Sequence, residues 1–301
     1  MSQTLVSRAS PVPRWYAHGL NRSAVYHIGA ALAGALPRAL RLRVAQAVAA
    51  ATAGRFAGER AVVRSTLARV VPGASRPDLD ALVRQVFRNF AVCFTDLITS
   101  NRGGDVDGLL AHTEGLEHLA TVERLNRGLV VITAHLGNWE LGGRLLARTV
   151  TRTTHVVVAP ERDPGIERFL RRNGGPVRFL VRASPTDVLP LVAALRRKEV
   201  VALQGDRALG GHGDRLQPFF GAPAPFPLGP FLLARAAGAP VLPAFCLLGA
   251  DHRYTVVIGE PWTVAPGGEA DALAHWVGVL EAMVRRHPTQ WFNFYDVWGA
   301  R

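Results

Sequence analysis

The stretch GLVVITAHLGNWELGGRLL, residues 128–146, joins a short apolar run, a Gly-Asn break and an amphipathic segment. The β-branched run Leu129–Ala134 is typical of a buried strand, and the segment that starts at Trp139 has helical spacing. His135 comes directly after the run, and Glu140 falls in the first turn of the helix. A strand that ends on a histidine and leads into a helix predicts an α/β fold with a polar group at the sheet edge.

The same alternation of strand and helix continues through the C-terminal two-thirds of the chain. Further β-branched runs lie at His155–Ala159, Val177–Val181, Val200–Gln204, Val241–Leu248 and Tyr254–Ile258. Helices are predicted at 139–150, 163–172, 185–198, 227–238 and 270–286. We expect a mixed, mostly parallel sheet flanked by helices. The proline-rich segment FFGAPAPFPLGP, 219–230, is predicted to be a loop, because proline lacks the N–H that a regular ladder needs.

Residues 1–103 are predicted to be helical, with a turn at 71–78 and Asp78 as a helix cap. They hold 14 arginines and four acidic residues, so most of the net charge of +12 lies in this third of the chain. Such a surface suits anionic lipid headgroups, phosphates or nucleic acid. We expect no nucleic-acid partner, since no interleaved aromatic platform or known motif accompanies the charge.

The segment SAVYHIGAALAGALP, Ser23–Pro37, is the nearest approach to a membrane span. Its 15 residues are fewer than the roughly 20 that a spanning helix needs, so we predict an interfacial or re-entrant helix. A buried, alanine-rich helix of a soluble protein is the alternative. No signal peptide is predicted, and the two distant cysteines indicate neither a disulfide framework nor a zinc site. We divide the chain into a basic helical membrane-associating region, 1–103, and an α/β catalytic domain, 104–301.

His135 and Glu140 are candidate partners, although five helical residues correspond to a rotation of about 140°. They can meet only if the chain turns at Leu136, Gly137 and Asn138, and Asn138 also suits the N-cap of the following helix. A carboxylate beside the imidazole would fix its tautomer and stabilise its protonated form, as a general base requires. The alternative is that Glu140 only favours the helix dipole and that His135 is a hydrogen-bonded residue under a loop.

A second polar group follows the strand in VVALQGDRALGGHGDR, 200–215, where Asp206 and Arg207 come after the apolar run. Ligands of open α/β sheets bind beyond the carboxyl ends of strands. No dinucleotide fingerprint, Walker A motif, serine-hydrolase elbow or H-E-x-x-H motif is present. The scattered positions of His135, Glu140 and Asp206 are a weak indication of a metal, and we predict none. The basic segment ERDPGIERFLRR, 161–172, either binds phosphate or is a solvated helix face.

Several blocks, in order, resemble a known family. AHLGNWELGG, 134–143, resembles the histidine–x4–acid block of the lipid A biosynthesis lauroyl/myristoyl acyltransferases, within the lysophospholipid acyltransferase superfamily. An earlier block of the same family is similar to VFRNFAVCFTDLI, 86–98. Two later blocks are similar to LVAALRRKEVVALQGDR, 191–207, and FPLGPFLLARAAGAPVLPAF, 226–245. The resemblance therefore covers most of the chain.

The resemblance implies acyl transfer at the cytoplasmic face of the bacterial inner membrane by a peripheral or monotopic protein. The donor would be an acyl-carrier-protein or coenzyme A thioester, and the acceptor a hydroxyl of a lipid or glycolipid; no cofactor is needed. His135 would be the base and Glu140 its orienting partner, with amides near Gly137–Trp139 or an arginine stabilising the oxyanion. The positions assigned to substrate binding are Asn138, Arg171, Arg172, Asp206 and Arg207.

The chain departs from true lipid A enzymes at its C-terminal QWFNFYDVW, 290–298, which lacks their basic ending. The acceptor therefore stays open among lipid A precursors, mannosylated phosphatidylinositol, other glycolipids and polyene-type lipids. Two alternatives to the transferase are a non-catalytic protein that binds anionic lipids and a thioesterase that uses the same His/Glu pair.

Overall fold

The computed structural model describes residues 23–101, 106–149, 152–160, 163–170, 177–181, 188–208, 210 and 213–299. Its strands are β1 Leu110–Glu114, β2 Leu129–Thr133, β3 Thr154–Val158, β4 Val177–Val181, β5 Val200–Gln204, β6 Asp214–Phe219, β7 Ala222–Pro227, β8 Val241–Leu248 and β9 Tyr254–Ile258. Seven of them form one sheet in the order β1-β9-β8-β2-β5-β3-β4. All its neighbouring pairs are parallel except β8 with β9, so the predicted mixed, mostly parallel sheet is confirmed.

Helices lie on both sides of this sheet. They are α1 Ser23–Gly34, α2 Arg38–Ala51, α3 Ala57–Val70, α4 Arg76–Ser100, α5 Leu116–Arg124, α6 Trp139–Thr149, α7 Pro164–Leu170, α8 Val188–Arg196, α9 Gly229–Ala237 and α10 Glu269–Arg286. The sequence analysis did not predict β1 and α5, which are only five and nine residues long.

The side chains of β2 alternate between two hydrophobic clusters, one on each face of the sheet. Val130 and Ile132 point to a cluster built with α8, α9 and α10, whereas Leu129 and Val131 point to a cluster shared with α4 and α6. All four side chains are buried, as expected of a strand covered on both faces. The strand is therefore held rigidly, and the residues that follow it start from a fixed position.

The prediction of a loop at 219–230 is wrong, because Ala222–Pro227 is β7, paired with β6 in a separate two-stranded antiparallel sheet. Pro223, Pro225 and Pro227 occupy alternate positions of this strand. Every second residue of an antiparallel pair points its N–H away from the partner, so these prolines cost no ladder bond in an edge strand. Ala224 and Phe226, between them, are buried.

The basic N-terminal third is helical in its described part, and α1, α2 and α3 all pack against α4. The cap of α4 is Ser75, whose hydroxyl accepts from the amide of Asp78, so the predicted cap at Asp78 is wrong by three residues. Within the described residues, no helix combines the length and the hydropathy that crossing a bilayer demands. The division of the chain at residue 103 stays a prediction.

Candidate active site

The two predicted polar strand ends meet at the carboxyl edge of the sheet. β2 and β5 are parallel neighbours, with Thr133 opposite Gln204 at their last residues. The amide of Gly205 continues the ladder by donating to the carbonyl of Thr133 over 2.8 Å. His135 and Asp206, each two residues past its strand, therefore face one another.

The carboxylate of Asp206 holds the histidine at two places. Its Oδ1 lies 2.8 Å from Nδ1 of His135, and its Oδ2 accepts the backbone N–H of the same residue over 3.1 Å. The indole Nε1 of Trp291 donates to Oδ2 as well, over 3.1 Å. Asp206 is fully buried, and 15% of the His135 side chain is exposed. These contacts engage Nδ1 and leave Nε2 as the nitrogen that can meet a substrate.

Burial and the charges near His135 determine the protonation state of its imidazole. Burial lowers the pKa of His135, and the charge of Arg207 lowers it further, against the opposite effects of Asp206 and Glu140. Burial would raise the pKa of Asp206, but its interaction with His135 and the charge of Arg207 outweigh burial and lower this pKa to about 2. An ionised carboxylate can only accept, so Nδ1 carries the proton and Nε2 carries the lone pair. This is the form of histidine that acts as a general base.

The turn after His135 is fixed by close backbone contacts. Gly137 has φ +65°, and a Cβ there would lie 2.0 Å from the carbonyl oxygen of Cys246, so only glycine fits. Its amide donates to the carbonyl of Gln290, and the amide of Asn138 donates to that of Cys246. Two of the amides expected near Gly137–Trp139 for an oxyanion are therefore already used. The amide of Trp139 has no acceptor among the described residues.

Asn138 holds the start of α6, as predicted for an N-cap. Its Oδ1 accepts the amide of Leu141 over 3.3 Å, and its Nδ2 donates to the carbonyl of Cys93 and to the hydroxyl of Tyr254. The side chain is 3% exposed. These contacts give Asn138 a structural role, and its assignment to substrate binding stays a prediction.

The remaining predicted site residues are Glu140, Arg207, Arg171 and Arg172. Glu140 is half-buried in the first turn of α6 and close enough for its charge to raise the pKa of His135. Its pairing with the imidazole stays a prediction, whereas the hydrogen bond to Nδ1 comes from Asp206. Arg207 donates to the carbonyl of Phe292 and lies 5.6 Å from the centre of the Tyr295 ring. Arg171 and Arg172 lie outside the described residues.

Sequence reasoning missed the contribution of the C-terminal segment. Trp291 forms a bridge with Leu136 besides its bond to Asp206, and the amide of Phe292 donates to the carbonyl of His135 over 2.8 Å. The signal in the sequence was the dense aromatic run QWFNFYDVW, which includes two tryptophans, each with one polar atom that needs an acceptor when buried.

A cavity lies next to this site, between α6 and the sheet. Trp139, whose ring centre is 4.7 Å from that of His135, lines one side of it. Four small residues contribute to the lining, namely Gly142 and Gly143 on α6, Ala202 on β5 and Ala244 on β8. Within the described residues, no three metal-binding side chains are grouped closely enough to hold an ion.

The chain is similar in sequence to a family profile and to several known proteins. A sequence profile described as bacterial lipid A biosynthesis acyltransferase matches residues 20–299. The lipid A biosynthesis palmitoleoyltransferase of Escherichia coli K12 is 26% identical over 180 residues, which are 59% of this chain and only 58% of that enzyme. Phosphatidylinositol mannoside acyltransferases are similar over longer stretches. The one from Mycobacterium tuberculosis (CDC 1551 / Oshkosh) is 28% identical over 79% of this chain and 77% of its own length. The one from Mycolicibacterium smegmatis is 27% identical over 92% of each chain.

Proposed function

The chain belongs to the bacterial lipid A biosynthesis acyltransferase family, and we propose that it transfers a fatty acyl group from a thioester to a hydroxyl of a lipid or glycolipid. The observation that carries this proposal is the contact of Asp206 with Nδ1 of His135, which leaves a basic Nε2 at the carboxyl edge of the sheet. We take acyl-coenzyme A or the acyl-carrier-protein thioester as the donor.

The reaction follows from the neutral imidazole. Nε2 of His135 takes the proton of the acceptor hydroxyl as its oxygen attacks the thioester carbonyl. The tetrahedral oxyanion then collapses, the C–S bond breaks, and the leaving thiolate takes the proton back from the imidazolium. A thioester is already activated, so no covalent enzyme intermediate is needed, and a positioned base contributes roughly 10²–10⁴-fold.

Two carboxylates act on the His135 imidazole in different ways. Asp206 fixes the tautomer through Nδ1, and the half-buried Glu140 adds negative charge that favours the protonated ring formed during attack. We assign Arg207 to the anionic part of the substrate or to the oxyanion, because its cation lies close enough to lower the pKa of His135. The amide of Trp139, at the start of α6, is the second candidate donor to the oxyanion. The assignment of Arg171 and Arg172 to a phosphate rests on the family resemblance alone.

We propose that the acyl carbons next to the thioester carbonyl enter the small cavity under α6. Trp139 lies between this cavity and the imidazole, so a carbonyl held beside Nε2 would have its chain close to the cavity. Gly143 is one of the residues that create the space, since a Cβ there would only reach ordinary contact with Val156 at 3.6 Å. The lining is mostly apolar, with Thr133 and Gln204 as polar members, and so suits a hydrocarbon chain.

We propose that α1 and α2 rest on an anionic membrane surface. Each helix buries one side against α4 and exposes apolar residues at four-residue spacing on the other. We call these residues the outer stripe: Ile28 and Leu32 on α1, and Leu40, Val44 and Val48 on α2. Leu32 is 67% exposed and Val48 is 55% exposed, and α2 also carries Arg38, Arg41 and Arg43. An apolar stripe flanked by arginine is the pattern of a helix that lies in the headgroup region.

Product analysis tests the proposal. Purified protein is mixed with radiolabelled palmitoyl-coenzyme A and vesicles that contain either phosphatidylinositol mannoside or a lipid A precursor. We expect labelled, more highly acylated lipid together with one thiol for each acyl group transferred. Label that appears only as free fatty acid would identify a thioesterase. Vesicle binding with no turnover of any tested thioester would identify a lipid-binding protein and overturn the proposal.

A further inference from the structure

A chain of hydrogen bonds, buried except at Arg38, joins α2 to the first turn of α6. Arg38, the first residue of α2, donates to both carboxylate oxygens of Asp96 on α4, over 3.1 and 2.6 Å. The hydroxyl of Tyr254 donates to Asp96 over 2.9 Å and accepts from Nδ2 of Asn138 over 3.1 Å. Asp96 and Tyr254 are fully buried. We call these four residues the buried relay.

The direction of each hydrogen bond is determined by its neighbours. A guanidinium can only donate, so Asp96 accepts from Arg38 and from the Tyr254 hydroxyl. Burial, with the nearby Cys93 and Asp96, raises the pKa of Tyr254 well above its ordinary value, so its hydroxyl keeps its proton. The remaining lone pair of that hydroxyl faces the NH₂ group of Asn138. This hydroxyl and the carbonyl of Cys93 both accept from Nδ2 of Asn138, so the amide oxygen faces Leu141 and caps α6.

The cap in turn holds the reactive residues. Asn138 lies between His135 and Glu140, and its carbonyl oxygen accepts the amide of Gly142 over 2.8 Å. Trp139, the first residue of α6, packs edge-to-face on the His135 ring. A change in the orientation of the Asn138 side chain would therefore move the first turn of α6 relative to the imidazole.

The other end of the relay lies beside the outer stripe. Arg38 also donates to the carbonyl of His252, just before β9, so the start of α2 is joined to the sheet as well as to α4. Leu40 and Val44, two and six residues further on, belong to the outer stripe. The same hydrogen bonds thus hold α2 in place and orient the turn between His135 and α6.

We propose that Tyr254 and Asp96 are positioning residues for acyl transfer, and that through them the placement of α2 sets the first turn of α6 against His135. The proposal rests on the acyl transfer proposed above. Neither residue touches the reacting atoms, so their loss should reduce the rate of chemistry and not the binding of the donor. Misplacement of a reacting group by about 1 Å can cost on the order of a hundredfold in rate.

The test compares Tyr254→Phe and Arg38→Met with Arg64→Met. Arg64 pairs with Asp80 between α3 and α4 in a partly exposed ion pair outside the relay, so it is a matched control. With palmitoyl-coenzyme A and phosphatidylinositol mannoside vesicles, we expect kcat per folded molecule to fall roughly ten- to a hundredfold in both relay variants, with KM for the donor within about twofold of wild type. Arg64→Met should keep wild-type kcat. A Tyr254→Phe protein that melts earlier but keeps kcat within twofold overturns the proposal, because the hydroxyl is then only structural.

A second readout does not depend on turnover. The imidazole nitrogen signals of His135, followed by NMR in histidine-labelled protein, should shift in Tyr254→Phe and stay in place in Arg64→Met. Unchanged signals in Tyr254→Phe would overturn the positioning role. If the wild-type protein acylated no lipid, the proposed function would fail, and the NMR comparison would still decide whether the relay positions the turn.

Discussion

Replacing Asp206 by asparagine keeps the size of the side chain, and we expect it to move the proton on the His135 imidazole. Oδ2 of Asp206 accepts two N–H groups, from the His135 backbone and the Trp291 indole, both at 3.1 Å. An amide oxygen in that place keeps both bonds and turns its NH₂ group towards Nδ1, which must then accept. The imidazole proton would then sit on Nε2, the atom that has to take up the hydroxyl proton.

The fall in kcat depends on the free energy needed to turn the substituted amide the other way round, with its oxygen towards Nδ1 of His135. That orientation keeps the productive tautomer but loses two hydrogen bonds, each worth about 0.5–1.5 kcal/mol. A cost of about 1–3 kcal/mol leaves roughly one molecule in five to one in 150 in the productive form. Loss of the charge that stabilises the imidazolium adds to this, and the equivalent change in a Ser-His-Asp triad lowers kcat by about 10⁴. We therefore expect kcat to fall by about 10²–10⁴-fold.

Thiol release from palmitoyl-coenzyme A in the presence of acceptor vesicles measures this kcat. The two cysteines of the protein, Cys93 and Cys246, are buried, so they should add little to the signal. Asp80→Asn, a change of the same kind in a partly exposed ion pair, is the control and should keep wild-type kcat. Adding Trp291→Phe to Asp206→Asn removes one of the two opposing donors and should recover about two- to tenfold. An Asp206→Asn protein within twofold of wild type, or no recovery in the double variant, would refute the tautomer argument.

Three other features can be tested separately. Because the pKa of His135 is lowered, kcat/KM should rise with pH through a midpoint below the ordinary imidazole value of about 6.5 and then level off. Arg207→Gln removes a cation that lowers this pKa and should move the midpoint to higher pH; a midpoint that stays or falls would contradict the account. Gly143→Leu projects into the cavity and should reduce transfer from palmitoyl-coenzyme A by at least about tenfold, whereas an unchanged rate would place the chain elsewhere. Changing both Val44 and Val48 to serine removes apolar area from the outer stripe and should weaken co-sedimentation with anionic vesicles by about tenfold; unchanged binding would remove this stripe from the contact.

The sheet was largely predictable from the sequence, because its central strands are buried on both faces. β4, β5, β8 and β9 have the predicted bounds, and β8, near the centre of the sheet, is buried along its whole length. The position of His135 at a strand end followed from the same pattern. The strand β7 was missed because its prolines argue against a central strand and say nothing against an edge strand.

The partner of the imidazole was harder to predict. Local spacing pointed to Glu140, five residues away, whereas the carboxylate on Nδ1 is Asp206, 71 residues further along the chain. The two meet because β2 and β5 are neighbours, and that order is decided by how the intervening strands and helices pack. Trp291 comes from still further away, and its bond to Asp206 depends on the C-terminal segment folding over the sheet edge.

The central claim is that His135 is the base for acyl transfer, and kcat of His135→Gln against His112→Gln tests it most directly. His112 is an exposed histidine on β1 that pairs with Glu114 at 3.0 Å, so the same substitution there controls for the loss of an imidazole. With labelled palmitoyl-coenzyme A and phosphatidylinositol mannoside vesicles, His112→Gln should match wild type. His135→Gln should lose about 10²–10⁴-fold in acylated lipid, counted per folded molecule because losing the bond to the buried Asp206 should lower the melting temperature. A folded His135→Gln protein that acylates the lipid at the wild-type rate would contradict the account.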